Sequence, residues 1–159
     1  MTARRRTVAL LTTLLGAIVL LSLMVGAVTA QTIRIGELNS YKDQPAFLGP
    51  YRNGMELAVE QINAAGGVNG KSLELIIRDD NGNPADAVRT AEELLSREKV
   101  DVLTGTFLSH VGMAVSDYAR HTQRFFLASE PLTAKLVWSA GNRYPSRPPT
   151  STSLPVALL

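Results

Sequence analysis

The segment Thr104-Gly-Thr-Phe-Leu-Ser-His110 holds the chain's best candidate for chemistry, because it joins an apolar strand to the start of a helix. Amides at a helix start lack partners within the helix, and the helix dipole adds positive charge there. Such a place stabilises an anionic group, for example a carboxylate. Ser109 is placed either to cap the helix or to touch a ligand, and the local pattern leaves both roles open. Three other groupings look chemical. Ala65-Gly-Gly-Val-Asn-Gly-Lys-Ser72 resembles a phosphate loop, but it follows a helix and precedes a strand. A phosphate loop needs the reverse order, so a helix stop and tight turn is the better reading. Asp79-Asp80 has no third carboxylate to complete a metal site and reads as a solvated pair that starts a turn. His110 and His121 are the two histidines, three helical turns apart, so they cannot share a metal ion. His121 reads as a surface residue near a helix end. No Ser/His/Asp set and no Gly-x-Ser-x-Gly elbow is present. The sequence therefore offers no catalytic residues, no metal ligands and no cofactor motif.

The elements that must position these residues alternate between strand and helix from Ile33 to Trp138. Thr32-Ile-Arg-Ile-Gly36 is a short strand, followed by a polar loop over residues 37–50. Met55, Ala58, Val59 and Ile62 then recur at helical spacing. Leu73-Glu-Leu-Ile-Ile77 is a second strand. Asn83 and Pro84 fit the cap and first position of a second helix, whose apolar stripe is Ala87, Val88, Ala91, Leu94 and Leu95. Residues 100–104 form a third strand and residues 109–123 a third helix, with Val111, Val115, Tyr118 and Ala119 inward. Phe125-Phe-Leu-Ala128 is the fourth strand. This order predicts an α/β fold, a parallel doubly wound Rossmann-like sheet between helix layers. Ligands of such sheets sit at the carboxyl ends of the strands, beside the reversal in strand order. That rule selects the loops after strands one, three and four, and leaves the loop after strand two at the sheet edge.

Composition bounds the rest. Arg4, Arg5 and Arg6 precede an apolar run over residues 8–28, and Val28-Thr-Ala30 carries small residues where signal peptidase needs them. Residues 1–30 are expected to be a cleaved secretion signal. The run is also long enough to span a bilayer, so an uncleaved anchor is the alternative. The sequence pI of 9.2 stems mostly from those arginines. Without them, 13 basic residues face 14 acidic ones, so no nucleic-acid partner is expected. There is no cysteine, so stability in an exported chain has to come from a buried core. Residues 31–144 are expected to fold. Residues 145–159 hold four of the eight prolines and no period, and read as a disordered, aberrant tail.

Several stretches carry a resemblance. They are Ile33-Arg-Ile-Gly36, Gly49-Pro-Tyr-Arg-Asn-Gly-Met-Glu-Leu-Ala58, Ile62-Asn-Ala-Ala-Gly-Gly-Val-Asn-Gly70, Ile77-Arg-Asp-Asp80, Val102-Leu-Thr-Gly105 and Phe126-Leu-Ala-Ser-Glu-Pro-Leu-Thr133. In this order they resemble the first lobe of the periplasmic-binding-protein type I family, and within it the substrate-binding proteins of branched-chain-amino-acid-type ABC transporters. The resemblance implies one lobe of a two-lobed, extracytoplasmic protein that captures a small solute, such as an amino acid, for an inner-membrane ABC permease. It also implies the contacts. Ser109, with the amides of Phe107 or His110, and Ser129, Glu130 and Thr133 would hold the ligand. Tyr41 or Phe47 would line the pocket. Glu130 departs from the family's small loop, and it either pairs with a ligand ammonium or marks a different solute. The second lobe has no counterpart here, so binding by this chain is expected to be weaker by about a thousandfold. Two rival readings are a ligand-sensing receptor domain of the same fold, and an exported α/β hydrolase, which lacks a visible nucleophile and base.

Overall fold

The computed structural model describes residues 31–136 and 143–146. The expected signal segment and most of the expected tail lie outside them. The described strands are β1 (Ile33–Asn39), β2 (Leu73–Asp79), β3 (Val102–Gly105), β4 (Phe126–Ala128) and β5 (Pro145–Ser146). The helices are α1 (Pro45–Ala64), α2 (Pro84–Ser96) and α3 (Ser109–Thr122), followed by a 3-10 turn at Ala134–Leu136. All strand pairs are parallel, in the order β2-β1-β3-β4-β5. The α/β reading holds, and β2 stands at the edge as expected. β5 adds a strand that composition does not reveal. It pairs Pro145 with Phe126, so regular structure continues two residues past the expected boundary.

Alternation along β1 sends Gly36 and Leu38 to one face and Ile35, Glu37 and Asn39 to the other. The first face carries the core. Leu38, Leu103 and Phe126 from the sheet meet Ala87, Ala91 and Leu94 of α2 and Val111, Val115 and Ala119 of α3. These helix residues fall on the stripes expected from their spacing, except that Val88, Leu95 and Tyr118 are only partly buried. Removing such side chains from water at roughly 25 cal/mol per Å² is the main stabilising term. The second face is served by α1, in which Leu48 is the fully buried residue. Met55 and Val59 are half-buried, while Ala58 and Ile62 of the same expected stripe are exposed.

Local signals explain the helix starts. The Asn83 side chain accepts from the amides of Ala85 at 2.8 Å and Asp86 at 3.3 Å. This satisfies two donors that have no partner inside the helix. α1 begins at Pro45, inside the stretch read as a loop. Proline at a first helical position has its φ preset and lacks only a donor that would be unpaired anyway. Pro50 lies inside the helix on an exposed side, which is what makes the sequence look like a loop there. The phosphate-loop look-alike is a turn between α1 and β2, closed by a Val68–Lys71 bridge. At Gly67 (φ +74°) a Cβ would stand 2.0 Å from the Lys71 carbonyl oxygen, so only glycine fits. Asp80 is fully buried rather than solvated. Its carboxylate accepts from Ser40 Oγ at 2.7 Å and from the Gly82 amide at 2.9 Å. It therefore ties the loop after β1 to the turn after β2.

Candidate ligand-binding cleft

The carboxyl ends of β1, β3 and β4 bring their loops together. At the end of β3, Gly105 (φ +115°) and Thr106 (φ +65°) both take left-handed backbone. This swings the chain out of the sheet and presents Phe107, Leu108 and Ser109. A threonine in that region is strained, and such strain persists where surrounding bonds impose it. Here the Thr106 amide donates to the Leu38 carbonyl at 2.8 Å, and the Ser129 amide donates to the Gly105 carbonyl at 3.1 Å. The loop after β4 is seated against α3. Pro131 lies so close to Gly112 that a Cβ there would come within 2.7 Å of its ring.

Between these loops is a cleft of about 480 Å³ lined by Phe107, Leu108, Ser109, Ser129, Glu130 and Leu132. That is ample room for a small solute. Four of the eight expected contact residues line it: Phe107, Ser109, Ser129 and Glu130. Phe47 reaches the rim from the first turn of α1, where its ring stacks on Phe107 with centroids 5.9 Å apart. Ser109 is itself helical. Leu108 occupies the cap position and makes no side-chain cap bond, so the capping alternative for Ser109 falls away. Ser129 Oγ accepts from Tyr51 Oη of α1 at 3.0 Å. Its own proton is thereby left to donate.

The structure sorts the other three differently. The His110 ring is exposed and lies 3.4 Å from the Gly82 carbonyl, on the side of the turn after β2. Thr133 Oγ1 accepts from the Lys135 amide at 3.3 Å and so starts the 3-10 turn. Tyr41 is not among the lining residues. Its hydroxyl donates to Glu37 Oε2 at 2.7 Å, beneath the cleft. Tyr41, His110 and Thr133 are thus not among the lining residues, while the His110 amide, the group that the resemblance implies, lies in the first turn of α3.

Beneath Glu130 is a polar layer that the sequence reading did not pick out. Glu37 and Asn39 are both fully buried. Glu37 Oε1, Asn39 Nδ2 and Glu130 Oε2 are buried without a hydrogen-bond partner among the described residues. Asn39 lies near enough to both carboxyls to favour their charged forms, but makes no well-formed bond to either. Burial dominates nonetheless. It pushes the Glu37 carboxyl up to about 8, with the bond from Tyr41 opposing, and it raises Glu130 as well. A polar pair two residues apart, Glu37 and Asn39, was the available signal, since strands of a two-faced parallel sheet are usually continuously apolar. No three His, Cys, Asp or Glu side chains among the described residues are grouped to hold a metal ion.

The parallel sheet thus carries at its strand ends a cleft of mixed lining, two hydroxyls and a carboxyl beside apolar side chains. The profile of the family described as "Periplasmic binding protein" matches residues 32–155, and the chain belongs to that family. The chain is similar to an amino acid binding protein of Pseudomonas aeruginosa, at 37% identity over 67 residues, 42% of this chain and 18% of that one. A leucine-, isoleucine-, valine-, threonine- and alanine-binding protein of the same organism is 49% identical over 45 residues, 28% of this chain and 12% of that one. Among solved structures, the branched-chain amino acid transporter substrate binding protein LivJ of Streptococcus pneumoniae, in complex with isoleucine, superposes with a TM-score of 0.68 at 26% identity. It covers 76% of this chain and 34% of its own. An R. palustris solute binding protein in complex with benzoate gives 0.65 at 27% identity, covering 73% of this chain and 32% of its own. The chain thus spans about a third of those structures and under a fifth of the first curated relative.

Proposed function

We propose that this chain is the first lobe of an extracytoplasmic solute-binding protein that serves an ABC importer, and that its ligand is a small carboxylate such as an amino acid. The observation that carries this reading is the convergence of Ser109, Ser129 and Glu130 on one cleft beside the start of α3. The amides at that helix start and the two hydroxyls form a donor surface for a carboxylate. The Phe47–Phe107 stack supplies an apolar wall. Similarity to an amino acid binding protein and to a solute binding protein in complex with benzoate supports the same class. An ABC permease is the partner of that activity, and an export signal over residues 1–30 would deliver the chain to it. The rival of a receptor domain with the same fold shares this cleft and differs only in its partner.

Calorimetry with a panel of amino acids and aromatic carboxylates tests the reading. One lobe makes roughly half of an enclosing site while the association entropy cost stays whole, so affinity in the millimolar range is expected. No heat from any member of the panel would overturn the reading.

A further inference from the structure

The turn that joins α1 to β2 holds an asparagine whose chemistry the fold leaves open. The sequence has three Asn-Gly pairs, Asn53-Gly54, Asn69-Gly70 and Asn81-Gly82. Asparagine is a thermolabile residue. A glycine after it carries no Cβ to shield its own backbone nitrogen from the asparagine side chain. Attack by that nitrogen then needs a free glycine amide, a free side-chain amide, and a backbone able to turn one toward the other.

Two of the pairs are denied these conditions. Asn53 and Gly54 lie inside α1, where the Gly54 amide donates four residues back along the helix. Asn81 is fastened at each polar group. Its backbone amide donates to Asp79 Oδ1 at 2.7 Å, its Oδ1 accepts from Lys42 Nζ at 3.2 Å, and its Nδ2 donates to Asp86 Oδ2 at 3.3 Å. The Gly82 amide donates to Asp80 Oδ1 at 2.9 Å, and Asp43 Oδ2 stands 2.1 Å from where a Gly82 Cβ would be. Asn69-Gly70 differs in each respect. The pair forms the centre of a two-residue turn, with φ +52° and +75°. The Val68 amide donates to the Lys71 carbonyl at 2.8 Å and the Lys71 amide to the Val68 carbonyl at 3.0 Å, which closes the turn around them. Both residues are exposed. Among the described residues, neither the Asn69 side chain nor the Gly70 amide has a hydrogen-bond partner. A Cβ on Gly70 would meet nothing within 4 Å.

We propose that Asn69 is a modification site, at which spontaneous deamidation produces isoaspartate and undoes the turn between α1 and β2. The Gly70 backbone nitrogen gives its proton to solvent and bonds to Asn69 Cγ. The Cγ–Nδ2 bond breaks, and the nitrogen takes a proton from water and leaves as ammonia. The succinimide ring that remains is opened by water at either carbonyl, to aspartate or to isoaspartate. Aspartate keeps the backbone length and tolerates the left-handed conformation. Isoaspartate adds a methylene to the main chain. The turn has no room for it, because Gly67 already packs so closely that a Cβ there would lie 2.0 Å from the Lys71 carbonyl oxygen. The damage falls at the amino end of β2, away from the strand ends that build the cleft.

The test is peptide mapping by mass spectrometry after the full chain is aged in neutral buffer, with a parallel sample in urea beyond its unfolding transition. Fragmentation locates each converted asparagine and marks the isoaspartyl backbone. In the folded chain Asn69 should convert at least about tenfold faster than Asn53 or Asn81, since those two must first break hydrogen bonds. In urea the three rates should converge. Hydrogen exchange reads the consequence. The Lys71 and Leu73 amides of the isolated isoaspartyl form should exchange about tenfold faster than those of Asn69→Asp. An Asn69 rate no greater than the others in the folded chain would overturn the proposal. So would a preference for Asn69 that persists undiminished in urea, or equal exchange in the isoaspartyl and Asn69→Asp chains.

Discussion

The carboxyl of Glu37 fills the space that a side chain on Gly105 would need. A Cβ on Gly105 would lie 2.9 Å from Glu37 Oε1 and 2.2 Å from the Leu38 carbonyl oxygen. The glycine at the end of β3 therefore does two jobs. It accepts the left-handed backbone that turns the next residues toward the cleft, and it leaves room for the buried acid on β1.

Gly105→Ala is accordingly expected to destabilise the lobe by about 2–4 kcal/mol, since both backbone strain and a backbone clash are introduced. Urea denaturation followed by circular dichroism measures it. A loss below about 0.5 kcal/mol would show that β3 and β1 are not packed this way.

The sign of the pH dependence follows from Glu37. Its folded pKa, about 8, lies above the ordinary value of 4.5. Between those values the unfolded chain has lost the proton and the folded chain has kept it. Stability therefore falls as pH rises through that window, by up to about 1.4 kcal/mol per pH unit from this group. Asp80 and Glu130 are raised too and act in the same direction. Thermal melts at a series of pH values should show a falling midpoint from about pH 5 to about pH 8. Glu37→Gln should remove much of that slope. A midpoint that climbs over the same range would contradict the burial of Glu37.

Helix α2 depends on its cap. Asn83→Ala removes the acceptor for two amides and should cost about 1 kcal/mol, while Asn83→Asp should largely keep it. Denaturant midpoints for the three proteins decide this, and equal midpoints for alanine and wild type would show the cap to be idle.

Most of the sheet was legible because helices and strands alternate with clear periods. Two apolar strands, the Asn83-Pro84 start and the stripes of α2 and α3 each agree with the fold they sit in. The misses have physical causes. Pro45 and Pro50 mimic loop chemistry, yet one fits a helix start and the other faces outward. β5 is two residues long, with Pro145 in it, so no local period marks it. In the site, Ser109 and Ser129 line one cleft because strand ends fix their loops. The His110 ring, on the same loop as Ser109, lies instead by the Gly82 carbonyl. The direction of a side chain is set by backbone dihedrals and neighbours that spacing does not encode.

Ser109→Ala and Ser129→Ala should each weaken ligand binding by roughly fivefold to tenfold, the worth of one hydrogen bond. His110→Ala should leave affinity unchanged, because its ring lies by the Gly82 carbonyl. Calorimetry with the best member of the panel makes the comparison. An effect of His110→Ala matching that of the serines would place the ligand elsewhere.

The most direct test is a site-resolved amide NMR titration of the chain with isoleucine and, separately, with benzoate. Shifts concentrated at residues 107–111 and 129–132 are the expected result. Shifts centred on the turn after β2 or on the exposed side of α1, or none at saturating millimolar ligand, would contradict a cleft built from the ends of β1, β3 and β4.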